Sequence, residues 1–121
     1  MKRLESQEDY LERILQLSQK QDVVHAIDIA RDMSFSKPSV SIAMNKLKDQ
    51  GLIEINKKGE ITLTPSGLEI AEKTLEKHLL LTTMLISLGV SEETAKEDAC
   101  KMEHDISDET WDAIKKHAKD L

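Results

Sequence analysis

Apolar residues recur along this chain at two periods. Tyr10, Leu11, Ile14, Leu15 and Leu17 repeat at helical spacing behind Ser6, a residue type that caps helix N-termini, and predict a first helix to about Gln19. A second, shorter run places Ile27, Ile29, Ala30 and Met33 on a helix from Ala26 to about Met33, and Ser34-Phe35-Ser36 breaks the pattern. From Ser36 a third helix opens with Pro38 in its first turn, where a missing N–H costs nothing, and runs to Gln50 before Gly51 stops it. Val40, Met44 and Leu47 mark its inner face. The period then changes. Leu52–Ile55 and Glu60–Leu63 are short β-type runs around Asn56-Lys57-Lys58-Gly59, a hairpin turn whose Asn and Gly tolerate positive φ. Thr64-Pro65 reads as an N-cap with proline at the first helical position, opening a helix from Pro65 to Leu88 that ends at Gly89 and spans about 36 Å. Ser91 and Ser107, each followed by two acidic residues, predict helices to about Asp105 and about Lys119.

Two short helices, a tight turn and a hairpin with a basic tip follow the order of a winged helix-turn-helix. The expected fold is mainly α with a small β-hairpin wing: a winged helix-turn-helix over residues 1–64 and a helical dimerisation region over residues 65–121. In such an arrangement the third helix lies in the DNA major groove with its first residues against the bases. Here these are Ser36, Lys37, Pro38, Ser39, Ser41 and Ile42. Serine hydroxyls and first-turn N–H groups suit phosphate oxygens, Pro38 and Ile42 offer apolar surface, and Lys46, Lys57 and Lys58 add backbone contacts. Three short helices and a hairpin also make an ordinary small core with solvated lysines.

The Leu79–Ile86 stretch falls far short of the roughly 20 apolar residues that span a bilayer and predicts a buried helix. Leu75, Leu79, Met84, Leu85 and Leu88 along the long helix exceed what so small a chain can cover, so a homodimer is expected.

Charge complicates the DNA reading. The 121 residues carry 17 Lys and Arg against 23 Asp and Glu, a net charge of −6, which opposes coating of nucleic acid or anionic membrane through bulk charge. The excess is local, however. Ser36–Lys58 carries net +3, whereas Pro65–Leu121 carries net −6. A single cysteine and a polar N-terminus predict a reducing, cytoplasmic setting.

Cys100, Glu103 and His104 stand at i, i+3 and i+4, so thiolate, carboxylate and imidazole project from one face of a predicted helix. This mixture suits a first-row divalent transition ion better than calcium or magnesium. Incidental polar residues on a surface helix account for the triplet equally well. Asp9 and Glu12 form an i, i+3 pair on the first helix, but Asp9 also stands three residues after Ser6, and capping is the stronger reading of Asp9 taken alone. His78 fits a half-buried histidine bonded to a neighbouring element, while His25 and His117 offer surface polarity only.

Glu8-Asp9-Tyr10-Leu11-Glu12, Lys37-Pro38-Ser39-Val40-Ser41, Leu63-Thr64-Pro65-Ser66-Gly67, His78 and Cys100-Lys101-Met102-Glu103-His104-Asp105-Ile106-Ser107 occur in an order that changes the balance. Over nearly its full length the chain resembles the diphtheria toxin repressor family, and is most similar to the short manganese transport regulator branch, since iron-type relatives continue into an SH3-like domain. The resemblance implies a dimeric winged-helix repressor that binds operator DNA when Mn²⁺ or Fe²⁺ is bound and controls metal-uptake genes. It implies Asp9, Glu12, His78, Glu103 and His104 as metal ligands. At position 100 the manganese branch has glutamate and the iron branch cysteine, while the iron branch has methionine at the place of Asp9. Cys100 therefore joins the ligand set as a hybrid feature, and Zn²⁺ or Co²⁺ become possible substitutes. Thr82 stands where the iron branch's ancillary site uses glutamate, and Ile42 where it has glutamine.

The competing expectations are an oxidant sensor acting through Cys100 and a dimeric winged-helix regulator of a small organic ligand. A catalytic metal site is disfavoured: the donors fill the shell and no nucleophile or glycine-rich loop accompanies them. No enzyme activity, membrane partner or small organic substrate is expected.

Overall fold

A computed structural model describes residues 3–119, with side chains from 7 to 118. The chain forms two compact units, residues 1–72 and 73–121.

In the first unit, α1 (Arg3–Lys20) precedes α2 (Ala26–Met33) and α3 (Lys37–Asp49), followed by a hairpin of β1 (Ile53–Ile55) and β2 (Ile61–Leu63). Leu11, Ile14, Ile29, Val40, Met44, Leu47 and Ile53 are almost completely buried and form its core. An Arg13–Asp32 ion pair of 2.9 Å links α1 to α2, and Tyr10 meets Phe35 edge-on at 6.0 Å between ring centres.

The bounds of α2 are those expected. So is the start of α3: Ser36 Oγ accepts from the Ser39 N–H at 3.3 Å, with Pro38 in the first turn. Ser36→Ala is expected to lower stability by about 1 kcal/mol, read as a shifted urea midpoint with unchanged slope.

The first helix differs from expectation. It starts at Arg3, so the backbone of Ser6 lies inside α1 instead of at its cap, and the side chain of Ser6 is outside the described residues. Nothing in Arg3-Leu4-Glu5 breaks a helix, and an earlier start leaves the capping reading of Asp9 without its partner at the terminus.

The strands pair antiparallel, with Ile53 opposite Leu63 and Ile55 opposite Ile61. Each is one residue shorter than predicted. The tip is built by Asn56, whose Oδ1 accepts from the N–H groups of Lys58 (3.0 Å) and Glu60 (2.9 Å). Gly59 supplies the positive φ of +79° that the turn requires. Lys57 and Lys58 are consequently held at an exposed, ordered tip. An isolated bridge, Ile61 N–H to Val24 O at 2.8 Å, anchors the base of the wing.

The long helix α4 (Pro65–Ser87) starts in the first unit and continues into the second. Thr64 fixes its start: Oγ1 accepts from the Gly67 N–H at 3.2 Å and donates to the Gly51 carbonyl at 2.7 Å. Gly67 is required there, because a Cβ at this position would run into the carbonyl oxygen of Leu52.

In the second unit, α5 (Glu92–Met102) and α6 (Asp108–Lys119) follow, capped by Ser91 and Ser107 as expected. Trp111 is buried, with Lys77 and Lys115 each 5.9 Å from its ring centre. The Leu79–Ile86 stretch is not the buried helix predicted: Leu81 is fully buried, but Leu79 and Ile86 are exposed. Leu88, just past the helix, is exposed too, while Leu75, Met84 and Leu85 are half-buried. Among the described residues no helix is long and apolar enough to cross a membrane.

Candidate metal centre and nucleic-acid interface

The sequence places Cys100, Glu103 and His104 on one predicted helix, but α5 ends at Met102. Glu103 keeps helical dihedrals as its C-cap, and a further turn, closed by Asp105 N–H to Met102 O at 3.1 Å, carries His104. A helix extended to Asp105 would leave no room to reverse before Ser107 caps α6. The donor atoms of Cys100, Glu103 and His104 nevertheless lie within 4.8 Å of one another. The helix terminus gathers them as the predicted helical face would have done.

Glu103 is the centre of the cluster, with its side chain fully buried. Its Oε2 lies 3.0 Å from His78 Nδ1 on α4, and its Oε1 lies 3.3 Å from His104 Nε2 but makes no hydrogen bond. A buried carboxylate oxygen without a hydrogen bond costs free energy, and an ion is one of the few partners that removes that cost. Cys100 adds a free, exposed thiol. One carboxylate, two imidazoles and one thiol offer hard, intermediate and soft donors together, which fits a first-row divalent transition ion.

Asp9 and Glu12 belong to the first unit, one turn apart on α1. Glu12 is buried and Asp9 half-buried. Burial, and secondarily the adjacent Asp9 carboxylate, push the Tyr10 phenol above its usual value. A buried carboxylate such as Glu12 is retained in a protein only with a compensating partner.

Also in the first unit, Lys37, Pro38, Ser39 and Lys46 are exposed along α3, as are Lys57 and Lys58 on the wing. Ile42 is 59% exposed and Ser41 is half-buried. Ser36 and Ser39 are less available than the sequence implies: their hydroxyls bond each other at 2.8 Å while Ser36 caps the helix.

His25 does more than the surface polarity expected of it. His25 is the N-cap of α2, where its N–H donates to Asp28 Oδ2 at 2.8 Å, and its ring sits beside Gly59 of the wing turn. The aspartate three residues downstream is the available signal.

Comparison with known proteins matches both halves of the chain. The family model for the iron dependent repressor N-terminal DNA binding domain covers residues 3–61, and that for the iron dependent repressor metal binding and dimerisation domain covers residues 64–121. The transcriptional regulator MntR of Escherichia coli O6:H1 is 35% identical over 108 residues, 89% of this chain and 70% of the relative. An uncharacterized HTH-type transcriptional regulator of Methanocaldococcus jannaschii is 36% identical over 113 residues, 92% of this chain and 90% of the relative. Among solved structures, a manganese-dependent transcriptional repressor in complex with manganese shares 30% identity with a TM-score of 0.85, covering 93% of this chain and 52% of that one. The chain thus spans about half the length of that repressor. Two matched domains and relatives at these identities place the chain in the iron dependent repressor family of metal-dependent transcriptional regulators.

Proposed function

We propose that this chain is a cytoplasmic, homodimeric repressor that binds operator DNA when it holds Mn²⁺ or Fe²⁺ and so controls metal-uptake genes, without enzymatic activity of its own. Residues 1–64 read the DNA, and residues 65–121 bind metal and dimerise. Asp9 and Glu12 from α1 complete a ligand set with His78, Cys100, Glu103 and His104. Ser36, Lys37, Pro38, Ser39, Ser41, Ile42, Lys46, Lys57 and Lys58 face the nucleic acid.

The observation that carries this reading is the Glu103 carboxylate, buried between two imidazoles with one oxygen lacking a hydrogen bond. A bound divalent cation supplies the positive charge that such a donor set shares. The remaining work is done by the chain. Asp9 and Glu12 are rigidly attached to the DNA-reading helices through the α1 core, and the other donors to the dimerising half. Three carboxylates drawn together repel one another unless their charge is balanced. Ligand binding therefore favours the conformation in which both sets of donors converge, and it shifts the equilibrium by its differential affinity for that state. In a homodimer this fixes the spacing of two copies of α3, which must match successive major grooves about 34 Å apart. Exposed Leu79, Ile86 and Leu88 support pairing of two copies, and the exposed lysines of α3 and the wing support contact with phosphates.

The test is binding of the chelated protein to duplexes from the promoters of metal-uptake genes, titrated anaerobically and separately with Mn²⁺ and Fe²⁺ at fixed salt. Binding is expected to tighten at least about tenfold with one ion, a coupling of the ordinary allosteric size. Equal affinity with and without both ions would overturn the proposal.

A further inference from the structure

We propose that Ile42 is the residue through which α3 reads base sequence, by seating its side chain against thymine C5-methyl groups in the major groove, so that the preferred operator carries thymine at fixed positions of each half-site. The inference rests on the DNA-binding reading above and deepens it.

Three observations carry it. The first is direction. Val40, Met44 and Leu47 form the buried stripe of α3, and at 3.6 residues per turn Ile42 stands about 200° around the helix from Val40. It points diametrically away from the core and is 59% exposed. A lone aliphatic side chain on a surface is ordinary. One at the centre of the outer face, ringed by exposed Pro38, Ser39, Asn45 and Lys46, is placed where a recognition helix meets base edges.

The second is chemistry. The major-groove edges of the four base pairs present donors, acceptors and one apolar group, the thymine methyl. The branched hydrocarbon of Ile42 has no hydrogen-bonding atom, so it reads the methyl and penalises the polar edges it would cover. The third is the division of labour around it. Ser36 and Ser39 bond each other and cap the helix, while Lys37, Lys46, Lys57 and Lys58 are exposed cations suited to phosphates, a kind of contact that positions a helix without specifying sequence.

The test uses the full chain loaded with Mn²⁺ to select tight-binding duplexes from a random DNA pool. Thymines in the selected sequence are then replaced one at a time by deoxyuridine, which removes the methyl and keeps base pairing. At one or two positions per half-site the wild type is expected to lose about fourfold in affinity for each methyl removed. Ile42→Ala, which keeps good helix propensity at an exposed site and so folds, is expected to bind the thymine and deoxyuridine duplexes equally at those positions. The slope of its affinity against salt concentration should stay that of wild type, since no phosphate contact is lost. If every replacement acts alike on wild type and Ile42→Ala, the inference is overturned while DNA binding stands. If no duplex is enriched, the DNA-binding reading fails and takes the inference with it.

Discussion

Gly67→Ala is expected to destabilise the protein by about 3 kcal/mol, although alanine is the better helix former by about 1 kcal/mol. The sign is set by a tertiary contact. The new Cβ would run into the carbonyl oxygen of Leu52 and approach its carbon to 2.9 Å. Leu52 cannot step aside, because its N–H donates to Leu47 O at 3.0 Å and its carbonyl accepts from Thr64 N–H at 3.1 Å. Thr64 ties the same corner to Gly51 at 2.7 Å. Relief must come from moving the start of α4 away from the end of α3, which breaks the Thr64 bonds. The urea midpoint reads the effect, with Ser66→Ala at the exposed neighbouring position as a near-neutral control. A Gly67→Ala protein as stable as wild type would show that α4 does not seat against Leu52.

Gly67 also marks where the sequence stops being legible. A glycine in the first turn of a predicted helix looks like a minor defect, and only the approach of a segment fifteen residues earlier explains it. Elements defined by local chemistry were readable. The caps at Ser36, Ser91 and Ser107, the Asn56–Gly59 turn and the Val40, Met44, Leu47 stripe depend on neighbours within one or two turns, and all take their expected places. The errors fall where no punctuating residue exists. Arg3-Leu4-Glu5 lets α1 begin a turn before Ser6, and Glu103-His104-Asp105 lacks a glycine or proline to announce the end of α5. Leu79–Ile86 reads as buried from hydropathy alone, because hydropathy does not say whether the covering layer belongs to the same chain. Of the candidate site, the grouping of Cys100, Glu103 and His104 was legible from spacing. The burial of Glu103 and its contact with His78, 25 residues away, were not.

Glu103→Gln should weaken metal binding at least about a hundredfold, because even residues that only support metal ligands cost 10- to 100-fold when lost. The substitution keeps the shape and leaves a carbonyl or amide to meet His78, so the effect is on charge. Glu103 is fully buried against His78 at 3.0 Å and His104 at 3.3 Å, and removing one partner of such a buried group can itself lower stability, so each protein is compared with its own metal-free form. The two proteins separate on addition of ion. Metal at 100 times its dissociation constant stabilises the wild type by about 2.7 kcal/mol, and the same concentration should barely move the melting temperature of Glu103→Gln. A variant whose melting temperature still rises as far as wild type would remove Glu103 from the ligand set. Cys100→Glu tests the opposite direction at the same centre. A thiolate favours Co²⁺, Fe²⁺ and Zn²⁺ over Mn²⁺, whereas a carboxylate reverses the preference. Cys100 is exposed, so the longer side chain is accommodated without repacking. The variant should bind Mn²⁺ more tightly relative to Co²⁺ and should lose the sulfur-to-cobalt charge-transfer absorption of the wild type. An unchanged cobalt spectrum would show that the thiol does not reach the ion, leaving Glu103 and His104 as the donors supplied from the end of α5.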